Sequence, residues 1–272
     1  MYKLILSDLD ETLLVNHHVP DFNLEAIRKA QDKGIKFVPT TGRAYNMIGE
    51  ILNEIGTYDK ENEYSICFNG ALIIENKNNR ILHFERLSYE LTKELFDQAH
   101  LYDVCVLIFT MDCCYIFNAD PNEVQRKIDQ KAPFKVIEQF NMEFLKDAKI
   151  AKILYERRDM DYLMKIKNEV YPKYKDRASI SFSSGRYLEF NALGVSKGNG
   201  LKWLTDYLGI SINECVAIGD NYNDVEMIEI AGLGACVASA DENIKKVSDV
   251  VMKHDYFEGA VKELIEEYVL ED

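Results

Sequence analysis

Two aspartates, Asp8 and Asp10, stand one residue apart in the stretch SDLDETLL, where the apolar run YKLIL ends. Asp220, Asn223 and Asp224 follow a late apolar run, CVAIG, within GDNYND. A hydroxyl beside a glycine, Thr41 and Gly42, ends a third run, IKFVPTT, in the tetrad TTGR at residues 40–43. Lys197 opens a helical pattern in GVSKGNG. Two carboxylates from different strands, Asp8 and Asp220, can share one hard cation. Mg²⁺ takes oxygen ligands, typically one or two carboxylates with water and substrate phosphate. Thr41, Asn223 and Lys197 would then surround the phosphoryl oxygens, which is the inventory phosphoryl transfer needs. A carboxylate can itself attack phosphorus. A second carboxyl two residues on can serve the leaving oxygen as acid and then as base.

Each of these residues also has an ordinary structural use. An aspartate after a strand can hold a turn through its own backbone. Asp and Asn are favoured helix caps. Lys197 is the hardest to place in that way. With Ser196 as N-cap it sits in the first helical turn, where the macrodipole disfavours a cation.

For the set to meet, the three apolar runs must be neighbouring strands. Short apolar runs at residues 3–7, 35–41, 215–219, 233–239 and 249–252 alternate with helical patterns at 22–32, 44–55, 197–208, 224–231 and 257–268. That rhythm predicts a Rossmann-like α/β core with a parallel sheet covered on both faces. In such sheets ligands bind beyond the carboxyl ends of the strands. Residues 65–74 read as two short strands broken at Asn69-Gly70, a turn signal. The middle of the chain differs, with mixed strands and helical patterns at 89–101, 123–131 and 160–170. It reads as an inserted α+β cap at 84–186, which divides the core into 1–83 and 187–272.

The chain has 272 residues, 47% of them hydrophobic, and a formal net charge of -14. The length suits two domains. An acidic surface argues against nucleic acid or an anionic membrane as partner. It also repels a phosphorylated metabolite, so a phosphate site must carry its own local positive charge or a metal. No apolar run reaches membrane-spanning length, and the N-terminus is too short and too acidic for a signal peptide. Six cysteines without a C-x-x-C pair fit reduced thiols and a cytoplasmic location. No protein partner is implied.

The motifs D-x-D-x-T at 8–12, TTGR at 40–43, FNGA at 68–71, GVSKG at 194–198 and GDNYND at 219–224 resemble the haloacid dehalogenase (HAD) superfamily. Within it they resemble most the Cof-type sugar-phosphate phosphatases with a C2-type cap. The resemblance implies a Mg²⁺-dependent phosphatase acting through an aspartyl-phosphate. Asp8 would be the nucleophile and a metal ligand. Asp10 would be the general acid/base, with its backbone carbonyl on the metal. Thr41, the Gly42 amide and the Leu9 N–H would hold the phosphoryl group. Lys197 would bind phosphate and steady the nucleophile, and Asn223 would contact phosphate. Asp220 would complete the metal site, and Asp224 would support it or orient Lys197. One departure stands out: the family usually has Gly after the second Asp, where this chain has Glu11. A phosphohexomutase on the same core and a non-enzymatic phosphoacceptor share much of this inventory. The mutase would call on cap arginines such as Arg126, Arg157, Arg158 and Arg177. The phosphoacceptor is a shorter domain without an insertion.

Overall fold

The structure, a computed structural model, describes residues 1–270. Glu271 and Asp272, which end the last expected core segment, lie outside the described residues. The chain divides into two compact units, one built from Met1–Phe84 and the segment from Ser196 onward, the other from Glu85–Val195.

The first unit begins with β1 (Leu4–Ser7), α1 (Asp21–Asp32), β2 (Lys36–Pro39), α2 (Gly49–Glu54), β3 (Tyr64–Cys67), β4 (Leu72–Glu75) and β5 (Arg80–Phe84). The second unit holds α3 (Tyr89–Ala99), β6 (Cys105–Thr110), β7 (Cys114–Phe117), α4 (Pro121–Asp129), β8 (Phe134–Ile137), β9 (Ile150–Glu156), α5 (Met160–Tyr174), β10 (Ala178–Ser183) and β11 (Tyr187–Ala192). The first unit then resumes with α6 (Lys197–Leu208), β12 (Cys215–Gly219), α7 (Val225–Ile230), β13 (Leu233–Cys236), α8 (Glu242–Val247), β14 (Val250–Val251) and α9 (Ala260–Leu264).

The first unit is Rossmann-like. Five strands form a sheet in the order β14-β13-β12-β1-β2, and every pair in it is parallel. All residues of β1 and β12 are buried, as expected of strands covered on both faces. A bridge between Thr40 and Ile66 ties the end of β2 to β3, and β3, β4 and β5 form an antiparallel meander. Helix α6 has both of its ends written in the sequence. The Ser196 hydroxyl accepts the Asn199 N–H at 3.0 Å, and Gly209 ends the helix with a left-handed backbone.

The second unit is an α+β insertion. Its sheet has six strands in the order β10-β11-β9-β6-β7-β8; only the β7–β8 pair is parallel. Leu95 and Phe96 of α3 and Leu163 and Ile166 of α5 pack with Ile108, Ile153 and Phe190 of the sheet in one apolar core. Two buried ion pairs at 2.8 Å lie elsewhere in this unit: Lys152 of β9 with Glu189 of β11, and Lys127 with Glu123 within α4.

Several boundaries move. The insertion runs past 186, because β11 pairs with β9 and β10 and so belongs to the second unit. Residue 186 lies in the turn between β10 and β11, where polar residues resemble a linker. The helix expected over 44–55 splits into a 3-10 turn at Tyr45–Met47 and α2, consistent with the cost of Gly49 in a helix interior. Helix α5 continues to Tyr174 although it contains Pro172. Among the described residues, no helix is long and apolar enough to cross a membrane.

Candidate active site

Strand register explains why the candidate residues meet. Ser7 lies opposite Ile218 on one side and Pro39 on the other. The Asp8 N–H donates to the Ile218 carbonyl at 3.0 Å, and the Thr40 N–H to the Ser7 carbonyl at 2.8 Å. The carboxyl ends of β1, β2 and β12 are therefore level. Asp8, Thr41 and Asp220 leave the sheet together.

Asp8, Asp220 and Asp224 each offer a carboxylate oxygen, and these oxygens lie within 4.8 Å of one another. The Lys197 ammonium bonds to Asp8 Oδ1 and, at 2.5 Å, to Asp224 Oδ1. Lys197 is 0% exposed. Its placement in the first turn of α6 is thus answered by two carboxylates rather than by solvent. The other Asp224 oxygen accepts the N–H groups of Asp220 at 3.1 Å and Asn221 at 3.0 Å. This folds the loop after β12 back over Gly219, where an added Cβ would sit 2.4 Å from Asp224. Any larger residue there would break the loop. The Thr12 hydroxyl donates to Asp220 Oδ1 at 2.7 Å.

Burial pushes the Asp220 carboxyl up to about 9, reinforced by the negative charges of Asp8 and Asp224. Burial likewise pushes Asp8 up to about 7, against the pull of Lys197. Burial alone would depress Lys197, yet Asp224 and Asp8 outweigh it and hold the ammonium above its ordinary value. When all three carboxylates are ionised, facing one ammonium they leave two formal negative charges in a buried place. A divalent cation balances that excess, and an all-oxygen donor set is what Mg²⁺ takes. The residues present fit a Mg²⁺ site.

The remaining candidates lie around this cluster. Leu9 is buried in the loop, its carbonyl accepting the N–H groups of Leu13 at 3.0 Å and Leu14 at 2.9 Å. Glu11, the departure from Gly, has a left-handed backbone at φ 61°. The Thr41 hydroxyl oxygen accepts the Arg43 N–H at 3.1 Å, which leaves its own hydrogen to donate. Asn223 donates from Nδ2 to Asn69 Oδ1 at 3.1 Å, beside Gly42. Asp10 is held by Arg43, whose Nε reaches Asp10 Oδ2 at 2.8 Å while Nη2 bonds Oδ1.

Arg43, Thr12 and Asn69 were not singled out for roles by the sequence pattern, although each stands inside a quoted motif. The signal was there: an arginine next to the Thr-Gly pair, a threonine four residues past Asp8, an asparagine before glycine. Their partners are remote in sequence, and no spacing rule names them.

Fold and site define a class: α/β enzymes that hold a hard cation and an anionic group at the carboxyl ends of parallel strands. The chain belongs to the haloacid dehalogenase-like hydrolases, whose family model matches residues 5–264. It is 30% identical over 273 residues to YxeH of Bacillus subtilis, a protein itself assigned as a phosphatase by inference, covering 97% of this chain and 99% of that one. The crystal structure of a haloacid dehalogenase-like hydrolase from Bacteroides thetaiotaomicron is also similar, with a TM-score of 0.84 and 27% identity over 98% of this chain and 99% of that chain. A B. subtilis haloacid dehalogenase-like hydrolase shares the fold at a TM-score of 0.87, with 24% identity and coverage of 98% and 99%.

Proposed function

We propose that this enzyme is a Mg²⁺-dependent phosphomonoester hydrolase of small phosphorylated metabolites, sugar phosphates foremost, of the Cof type with a C2-type cap. The observation that carries the reading is the pairing of Asp8 with Lys197 inside the three-aspartate cluster. It presents a carboxylate at a strand end with its charge partly compensated and its position fixed. The phosphatase names among the relatives support the same chemistry.

Asp8 and Asp220 would hold the cation, with the backbone carbonyl of Asp10 completing the protein's share. Asp224, whose oxygens hold Lys197 and the N–H groups of Asp220 and Asn221, would support that site and orient Lys197 and the loop. When bound, Mg²⁺ would neutralise negative charge on the phosphoryl group. One Asp8 oxygen attacks phosphorus, and the bond to the leaving alcohol oxygen breaks. Asp10 gives that oxygen its proton. The product is an aspartyl-phosphate on Asp8. Water then attacks phosphorus, Asp10 takes its proton, and the bond to Asp8 breaks to release phosphate. Thr41, the Gly42 and Leu9 amides, Asn223 and Lys197 would hold the phosphoryl oxygens through both steps. The mutase reading gains less: Arg157 and Arg177 are tied to Asp103 and Glu94.

The test is hydrolysis of a panel of phosphate esters by chelator-treated protein with and without Mg²⁺. Activity should require the cation. Asp8→Asn should lower kcat by at least about 10³-fold, since it removes the nucleophile. Wild-type turnover without any divalent ion would remove the metal, and an active Asp8→Asn would remove the covalent route.

A further inference from the structure

Three consecutive residues between β3 and β4 have a left-handed backbone: Phe68 at φ 50°, Asn69 at φ 56° and Gly70 at φ 98°. Residues with side chains avoid that region, and phenylalanine more than most. Phe68 is nevertheless fully buried. Positive φ at an Asn-Gly pair is common in hairpin turns; the exception here is Phe68, which precedes the pair. Backbone held against its preference marks a place where the surroundings dictate the conformation.

The surroundings are the loops that carry the phosphate donors. The Asn69 N–H donates to the Thr41 carbonyl at 2.9 Å, and the Phe68 N–H to the Arg43 carbonyl at 3.0 Å. At Gly70 an added Cβ would lie 2.1 Å from the Ser196 carbonyl, so the turn is pressed against the start of α6 and Lys197. The Asn69 side chain lies beside Gly42 and accepts the Asn223 amide at 3.1 Å. One turn thus touches the Thr41–Gly42 loop, the Lys197 helix and Asn223. These three come from separate parts of the sequence.

We propose that Asn69 is a positioning residue: its side-chain carbonyl fixes the Asn223 amide, and its backbone fixes Thr41, so that both donors face the phosphoryl group. This rests on the phosphatase reading above. Asn69 acts through Asn223 and does not itself touch the substrate. An asparagine suits the place because it tolerates the left-handed region and carries a carbonyl acceptor.

The experiment is a double-mutant cycle on the full chain with Mg²⁺ and p-nitrophenyl phosphate. Asn69→Ala is the direct change. Asn69→Gly removes the same amide while accepting the backbone conformation, and it serves if the alanine variant fails to fold. Either variant should lose kcat/KM by about tenfold or more, mainly in kcat, as loss of a preorganised donor does. In the Asn223→Ala background the same change should cost less than about twofold, because the coupling has already gone. The thermal midpoint of Asn69→Gly should stay near that of wild type. Equal factors in both backgrounds would overturn the positioning role and leave the turn purely architectural. A wild-type enzyme inactive on every phosphate ester would instead overturn the phosphatase reading, and this proposal with it.

Discussion

Arg43 and Glu11 show how single residues around one loop divide the work. The Arg43 guanidinium meets both oxygens of Asp10 and is 8% exposed in its side chain. A planar fork of this kind fixes a carboxylate in a way an ammonium does not. Arg43→Lys should therefore behave as a loss and not as a conservative change. We expect the first turnover on a sugar phosphate to slow about tenfold or more, and less on p-nitrophenyl phosphate, whose leaving group hardly needs a proton. Rapid-quench measurement of that first turnover on both esters checks this, since the later hydrolysis step is common to them; equal slowing would detach Arg43 from the proton transfer to the leaving group. Glu11 holds a left-handed backbone that costs a residue with a side chain about 1–2 kcal/mol. Glu11→Gly should raise stability by roughly 1 kcal/mol, part of the relief being offset by added freedom in the unfolded chain. Denaturant midpoints measure it, and a destabilised variant would mean that the glutamate side chain contributes more than its backbone costs.

Among the elements, the C-terminal helix α9 offers a pH test. Burial alone would raise the Glu263 carboxyl, but the backbone N–H groups of Lys253 and His254 and the His254 ring hold it below its ordinary value. A carboxyl depressed in the folded state stabilises the protein above its unfolded pKa. That contribution fades as pH falls through the folded value. Glu263→Gln should cost about 1–2 kcal/mol at pH 7 and progressively less as the pH falls below the ordinary carboxyl range. Unfolding curves across that range decide it, since a pH-independent loss would assign the effect to packing. Elements differ just as much in how plainly the sequence announces them. Helix α6 could be read to the residue because Ser196 and Gly209 mark both ends. Strands β5 and β8 could not, since their residues are largely exposed or only partly buried and show no apolar alternation. Helix α8 is as short as α7 but carries only two apolar residues, in ENIKKV against VEMIEI, and so shows no helical pattern. The site followed the same logic. Asp8, Thr41 and Asp220 stand at strand ends that hydrophobic patterning reveals. The Arg43–Asp10 and Asn69–Asn223 pairs depend on tertiary approach, which no local pattern encodes.

For the molecule as a whole, the two units differ in how they use the chain. The second is continuous, Glu85–Val195, and has its own sheet and apolar core. Expressed alone it should fold, with a cooperative thermal transition and a dispersed amide spectrum; a molten segment would show that it depends on the rest. The first unit is assembled from two separated stretches. Strand β1, which carries Asp8, pairs on one side with β2 and on the other with β12, Leu4 lying opposite Cys215. At a synthesis rate of about 5–20 residues per second, roughly ten to forty seconds separate the two strands as they leave the ribosome. During that time β1 has one open edge, the kind of surface that recruits other chains. Asp8, the proposed nucleophile, also lacks both Lys197 and Asp220 for most of that interval. On the reading proposed above, a growing chain is chemically silent until its final quarter emerges, and the moment when the exposed strand is closed off is the same moment at which Asp8 gains the partners that would make it a nucleophile.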